Sequence, residues 1–216
     1  MKFLPESIEA LYAAFADVPR PAKIEGCDCC VGLDELAALV SQPLRTLGGT
    51  QLTRYASSAF LTVGEKADYL YLLPRIVEIS CTDPGWWPDV EITGQAIGQT
   101  DPTSWPEQRR FALLDVFHAV MQSAIDGEHY WMIDEWICCI GRSGLGMAPF
   151  LKQIEGSPRA LLEYYEINSE DLMNDRLGNS FWQKTEPAYQ EIIAWFGSPA
   201  VTHLISEAYA EKYNPS

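Results

Sequence analysis

The hydrophobic and polar positions between Ser104 and Arg142 follow the spacing of two consecutive helices. The first helix carries two adjoining apolar stripes, and the second carries one stripe with large aromatic residues beside it. The stripes are Phe111, Leu114, Met121 and Ile125; Leu113, Phe117, Val120 and Ala124; and Tyr130, Ile133, Ile137 and Ile140. Because apolar residues cover most of the first helix, we expect this pair to form the centre of the protein.

Local signals predict where these two helices begin and end. Ser104 and Glu107 have the spacing of a capping box, in which both side chains bond to backbone N–H groups of the first turn. Gly127 suits the left-handed conformation that often ends a helix. After the second helix, the glycines between Gly141 and Gly146 predict a loop.

Most of the remaining chain has the same helical periodicity, and no segment has the alternation of a strand. Further helices are expected at 5–16, 33–40, 52–61, 65–81, 89–98, 147–155, 158–166, 180–196 and 199–213. Pro74 should kink or break its helix near Leu72, because proline cannot donate to the helical ladder. We predict one all-α domain, residues 1–216, of about nine to eleven helices in stacked antiparallel hairpins. The repeated Gly-Ser-Pro starts at 156–158 and 197–199 would also fit HEAT-like curvature.

The composition indicates a cytoplasmic protein with a sizeable core. Hydrophobic residues make up 47% of the 216 residues, and no apolar run is long enough for a membrane span. Glu6 and Glu9 interrupt any signal-like apolar run near the start of the sequence. In the cytoplasm, the six cysteines should be thiols or metal ligands rather than disulfides.

The charge balance argues against nucleic acid as a partner. Fifteen Lys and Arg against thirty Asp and Glu give a net charge of −15, which would repel a phosphate backbone. Such a charge keeps proteins soluble, and it also attracts a basic protein by electrostatic steering. Both interpretations remain open from the sequence.

Three motifs follow a C-x-x-C sequence in the segment from Cys27 to Ile79. They are the turn Pro43-Leu44-Arg45, LTRYASSAFLTVG from Leu52 to Gly64 and YLYLLPRIVEI from Tyr69 to Ile79. This segment resembles a bacterial family of uncharacterised helical proteins. The resemblance implies a bacterial, cytoplasmic, helical protein, and it assigns no activity to any residue.

Cys27 and Cys30 are the candidate metal ligands. Two thiolates at this spacing can share one zinc ion, which would be the only cofactor the sequence suggests. A tetrahedral site needs two further ligands, for which Cys81, the Cys138-Cys139 pair or a histidine would have to serve. Buried structural thiols explain the same cysteines, and a thioredoxin-like redox pair would need a βαβ unit that the pattern does not predict.

Trp86 and Trp87 are the candidate partner-binding residues. They lie in a loop rich in proline and glycine, where no regular helix is expected to bury both indoles. Tryptophan is frequent at binding hot spots, although such a loop can also fold back over the ends of neighbouring helices.

His118 and Asp115 are the candidate catalytic pair, because an Asp three residues before a His on a helix can face it and support general-base catalysis. A histidine that is hydrogen-bonded within the core is the alternative. Asp134 and Glu135 are adjacent on a helix, so they should point apart and make a poor catalytic pair.

The sequence leaves four functions open, the last of which is a helical scaffold whose only role is self-association, and it favours the first. It is a non-catalytic interaction module, such as an inhibitor or immunity-type protein that covers a basic partner. The second is a metal-binding protein that uses Cys27 and Cys30, and the third is an enzyme with a pocket near His118. No oligomeric state follows from the sequence.

Overall fold

The computed structural model describes residues 3–27, 31–127 and 131–213. Within these ranges the chain forms eleven α-helices, two short 3-10 turns and isolated β-bridges, with no sheet. The all-α prediction is therefore confirmed. The helices are α1 (Leu4–Ala14), α2 (Leu33–Ser41), α3 (Gly49–Ser58), α4 (Lys66–Thr82), α5 (Val90–Gln99), α6 (Glu107–Asp126), α7 (Trp131–Ser143), α8 (Ala148–Glu155), α9 (Pro158–Leu172), α10 (Pro187–Phe196) and α11 (Pro199–Tyr213).

The predicted helical pair, α6 and α7, lies at the centre of the packing. Helix α6 contacts α1, α7 and α8, and α7 also contacts α5, α9 and α10. The stripe residues that are described are buried, with the exception of Phe111, which is exposed, and Leu114, which is half-buried. Within the described ranges, none of the helices is both long and apolar enough to cross a membrane.

Helix α6 ends before Gly127 as predicted, but the interactions predicted for its two ends are wrong. Ser104 belongs to a 3-10 turn, and its hydroxyl donates to the carbonyl oxygen of Asp101 at 2.7 Å instead of capping the helix. Pro106 disfavours a helical conformation in the residue before it, so α6 begins only after this proline. At the other end, Gly127 has a φ of −78° and is extended rather than left-handed.

Other predicted boundaries also differ. Helix α4 continues through Pro74 without a break, and α7 extends to Ser143, so that Gly141 is helical rather than part of a loop. A Cβ atom at Gly141 would lie 2.3 Å from the ring of Trp182, which shows that the glycine admits this indole against the helix. The predicted helix at 180–196 begins only at Pro187, a residue that favours the first helical position.

The closest helix packing lies between α5 and α7. A Cβ atom at Gly94 would be 2.2 Å from the carbonyl oxygen of Cys139, and one at Gly98 would be 2.3 Å from that of Arg142. These two glycines lie one helical turn apart, on the same side of α5. Their lack of side chains lets the two backbones touch, and this contact brings the start of α5 beside the start of α7.

The repeated Gly-Ser-Pro starts cap their helices. The Ser157 hydroxyl accepts from the backbone N–H of Ala160 at 3.3 Å, and that of Ser198 accepts from Val201 at 3.3 Å. Each of the two helices, α9 and α11, then begins with proline, whose missing N–H costs nothing there.

Candidate functional site: an acidic groove beside α7

A groove of about 290 Å³ lies where α5, α7 and α9 meet the segment before α10. It is lined by Glu91, Trp131, Asp134, Glu135, Ile167, Asn179, Ser180 and Phe181. Three of these residues are carboxylic acids, and we refer to the site as the acidic groove. Asp134 and Glu135 line it together, although their adjacency predicted that they would point apart. A groove at the edge of a helix can take both positions, because successive side chains differ by only about 100° around the axis.

Two of the three acids are buried. Glu91 lies in the first turn of α5 and is 3% exposed, and Asp134 lies in the first turn of α7 and is 8% exposed. A carboxylate in the first turn interacts favourably with the positive end of the helix dipole. The close contact of α5 with α7 then places both acids at the same end of the helix pair.

Neutral amides supply the hydrogen bonds to these buried acids. The Asn179 side-chain nitrogen donates to Glu91 Oε1 at 2.8 Å and to Asp134 Oδ2 at 3.1 Å. The Asn168 side-chain nitrogen donates to Asp134 Oδ1 at 3.1 Å, and Asn168 Oδ1 accepts from the Gly178 backbone N–H at 2.8 Å. Asn179 therefore holds two carboxyl groups close together without supplying a positive charge.

The pKa values of all three acids are raised. Burial is the main cause for the carboxyls of Glu91 and Asp134, and the amide hydrogen bonds only partly oppose it. The pKa of Glu135 rises from 4.5 to about 7, first through burial and then through the charges of Glu91, Asp89 and Asp134. Ionising this cluster is therefore costly at neutral pH.

Among residues 3–27, 31–127 and 131–213, no Lys, Arg or His forms an ion pair with Glu91, Asp134 or Glu135. Arg142 lies on the same helix as two of these acids, but its guanidinium is used elsewhere. It donates to the backbone oxygen of Glu91 at 3.3 Å and to Gln95 Oε1 at 2.8 Å, and it pairs with Glu186 at 3.4 Å. Within these ranges, the acids of the acidic groove therefore have no countercharge from the protein's own side chains.

The groove lining also includes apolar residues. Trp131 is 47% exposed, Ile167 is exposed and Phe181 is half-buried. A tryptophan ring next to carboxylates attracts an organic cation, because the ring face is negative. No set of three or more His, Cys, Asp and Glu within the described part of the chain has a metal-binding arrangement. The lining therefore fits the ammonium or guanidinium group of a side chain with an aliphatic stem.

Trp86 and Trp87 lie on a different groove, which we call the tryptophan groove. It has a volume of about 770 Å³ and is lined by Glu35, Ala38, Gly49, Thr50, Gln51, Thr53, Arg54, Asp83, Gly85, Trp86 and Trp87. The Trp86 indole N–H donates to the Gly49 oxygen at 2.9 Å and to Thr53 Oγ1 at 3.0 Å, so this ring closes the start of α3. Trp87 is 53% exposed and stays a candidate contact residue.

The predicted cysteine site is described only at Cys27. This residue is exposed, and its backbone N–H donates to the Thr62 oxygen at 2.9 Å. Cys30 lies outside the described residues, so zinc binding at Cys27 and Cys30 stays a prediction. Burial raises the pKa values of the Cys81, Cys138 and Cys139 thiols, which disfavours the thiolate form that metals and electrophiles require.

The His118 side chain contacts two residues of α8. Its Nδ1 lies 2.9 Å from Gln153 Oε1, and its ring stacks on Phe150 with 4.4 Å between centroids. Gln153 donates in turn to the His118 backbone oxygen at 3.1 Å and to Gln122 at 3.0 Å. Asp115 is half-buried one turn earlier on α6. These contacts give His118 a role in joining α6 to α8, and catalysis by this pair stays a prediction.

Sequence reasoning missed Glu91 and Asn179, which lie far from α7 along the chain. One signal was available at Asp134. Its helical neighbours at one turn, Ile137 and Cys138, are apolar, so Asp134 had to face inward and required buried partners. The sequence does not indicate which residues those partners are.

Comparisons with known proteins add no function to this site. No family model, curated protein or solved structure matches the chain. The resemblance of the segment from Cys27 to Ile79 to a bacterial helical family therefore stays a prediction.

Proposed function

We propose that this protein is a non-catalytic interaction module that binds a basic protein through the acidic groove. The partner would insert a lysine or arginine side chain between the acids and the Trp131 ring. Its positive charge would offset the repulsion among Glu91, Asp134 and Glu135, and its aliphatic stem would pack on Trp131 and Ile167. An inhibitor or immunity-type protein that covers a basic surface would work in this way.

The observation that carries this proposal is the absence of a countercharge within the described residues. Buried acids normally have a positive partner or a bound cation, because an unpaired buried charge is costly. Among the described residues, the side chains that donate hydrogen bonds to these acids are the neutral amides of Asn168 and Asn179. A cluster of acids without a countercharge is suited to bind a positive charge that another molecule supplies.

The net charge of −15 supports the same proposal at longer range. It would raise the rate of encounter with a basic protein, and salt would weaken this attraction because it screens charges beyond about 8–10 Å. Shape and burial in the acidic groove would then select the side chain that is bound.

A binding titration tests this proposal. A fluorescent peptide that contains lysine and arginine is titrated at pH 8 with the protein, with Glu135→Gln and with Glu191→Gln. Glu191 is exposed on α10, so its replacement changes the net charge equally but leaves the groove intact. We expect Glu135→Gln to weaken binding roughly 5- to 10-fold, which corresponds to about 1 kcal/mol.

Glu191→Gln should bind within about twofold of the unmodified protein, because a single distant surface charge is largely screened. Equal weakening in both variants would mean that net charge alone attracts the peptide, and it would contradict a role for the acidic groove.

A further inference from the structure

Two more grooves lie along α9, and each of the three shares lining residues with its neighbour. The middle groove, of about 380 Å³, is lined by Glu163, Glu166, Ile167 and Lys212. The distal groove, of about 530 Å³, is lined by Ser157, Pro158, Arg159, Leu162, Glu163, Ala208, Glu211 and Lys212. Ile167 lines both the acidic and the middle groove, and Glu163 and Lys212 line both the middle and the distal groove. We call the three together the α9 track.

The charges along the α9 track are uneven. In the middle groove, Lys212 Nζ lies 3.1 and 2.9 Å from the two carboxylate oxygens of Glu166, to which the Tyr213 hydroxyl also donates at 3.0 Å. In the distal groove, Arg159 pairs with Glu163 at 3.6 Å. The protein's own cations thus offset acids in these two grooves, whereas the described residues offer the acids of the acidic groove amide donors alone. A positive charge on a partner is therefore attracted to one end of the track.

The distal end favours a different kind of side chain. Leu162 and Ala208 are buried where α9 packs on α11, and Pro158, which is exposed, adds apolar surface to the same groove. An apolar side chain placed there would leave water without displacing any ion pair. The two ends of the track therefore prefer side chains of opposite character.

We propose that the α9 track binds an extended segment of the partner that carries a basic residue at one end and an apolar residue at the other. This inference rests on the proposed function and adds the order and spacing of the recognised residues. Leu162 and Ile167 are five positions apart on α9, which corresponds to about 7.5 Å along the helix. Since the acids lie beyond Ile167 and an extended chain advances roughly 3.3 Å per residue, the two anchors should be about three to five residues apart.

Paired peptides test the spacing. Each peptide has one lysine and one leucine separated by a varied number of Gly-Ser residues, and its control has serine in place of the leucine. We expect the leucine peptide of the favoured spacing to bind roughly 10-fold more tightly than its serine control. Shorter and longer spacers should lose this advantage, because they cannot reach both ends of the track.

Lys212→Gln is the matched protein variant, because Lys212 is exposed and its replacement releases the charge of Glu166 in the middle groove. A second acidic position should then be open to the lysine of the peptide, and the preference among spacings should fall at least threefold. Glu191→Gln should leave the preference unchanged.

Equal binding of leucine and serine peptides at every spacing would overturn the α9 track and leave the acidic groove as a site for a basic residue alone. If no lysine peptide bound, the proposed function would fail and the track with it. A spacing preference that persisted unchanged in Lys212→Gln would also overturn the assignment of charge along the track.

Discussion

The tryptophan groove and the acidic groove differ most in how their polar groups are satisfied. The tryptophan groove is the larger, at about 770 Å³ against about 290 Å³. Its main polar groups have partners, since the Trp86 indole bonds to Gly49 and Thr53, and Arg54 pairs with Glu35 at 3.4 Å. The acids of the smaller groove have only amide donors within the described residues.

Under the proposed function, the cost of burying acids without a countercharge marks the binding site better than groove volume does. A groove whose polar groups already bond to one another gains little from a ligand, because each new contact replaces an existing one. A groove with buried, unpaired acids gains the whole interaction with an added cation. Three substitutions would test this difference between the two regions.

Gly94→Ala should have the largest effect. Its new methyl group would meet the backbone oxygen of Cys139 at 2.2 Å, and α5 would have to move away from α7. We expect a loss of about 3 kcal/mol in the free energy of unfolding, measured in urea. In the tryptophan groove, Gly49→Ala meets only the Trp86 ring on a loop, at 2.8 Å, and should cost about 1 kcal/mol or less. Equal losses would mean that the α5–α7 contact is not the tighter of the two.

Asn179→Ala should have the second largest effect and should lower the free energy of unfolding by about 2 kcal/mol at pH 8. The substitution removes the donor shared by Glu91 and Asp134, and hydrogen bonds to charged groups are the strong ones. The loss should shrink as the pH falls, because protonated acids no longer repel each other. A loss that is the same at pH 8 and pH 4.5 would show that Asn179 acts through packing alone.

Glu135→Gln should have the smallest effect and should stabilise the protein. The pKa of Glu135 is raised from 4.5 to about 7 in the folded state, so the folded state keeps a proton that the unfolded state loses. Stability of the unmodified protein should therefore fall as the pH rises from 4.5 to 7. At pH 8 the variant should be more stable by roughly 1–2 kcal/mol, a value reduced for solvent screening at this half-buried site.

Below pH 4.5 the variant and the unmodified protein should unfold alike, because Glu135 is then protonated in both states. Thermal unfolding at a series of pH values measures the difference. Glu191→Gln serves as the control and should show no such pH profile. A stability difference for Glu135→Gln that does not change with pH would contradict the raised pKa.

Hydrophobic periodicity was sufficient to predict the helices and the central position of α6 and α7. It depends on local spacing, and Ile133, Ile137 and Ile140 are all buried as that spacing predicts. The helix ends were harder, because competing local effects decide them. At the start of α6, the conformational restriction imposed by Pro106 overrides the capping box of Ser104 and Glu107.

The acidic groove could not be predicted because it depends on which helices touch. Glu91 and Asn179 are brought to Asp134 by the contact of α5 with α7 and by the turn that precedes α10. Gly94 and Gly98, four residues apart in a predicted helix, were a usable signal of close packing. They did not specify that α7 is the neighbour of α5. The acidic groove forms only when these two helices pack together.

The central claim is that the acidic groove receives a positive charge, and proton release on binding tests it most directly. Calorimetric titration with the lysine peptide at pH 7, in buffers of different ionisation enthalpy, counts the protons exchanged. A bound cation lowers the pKa of Glu135, so the complex should release protons, and Glu135→Gln should reduce this release. Binding without proton release, or equal release from Glu135→Gln, would contradict the account.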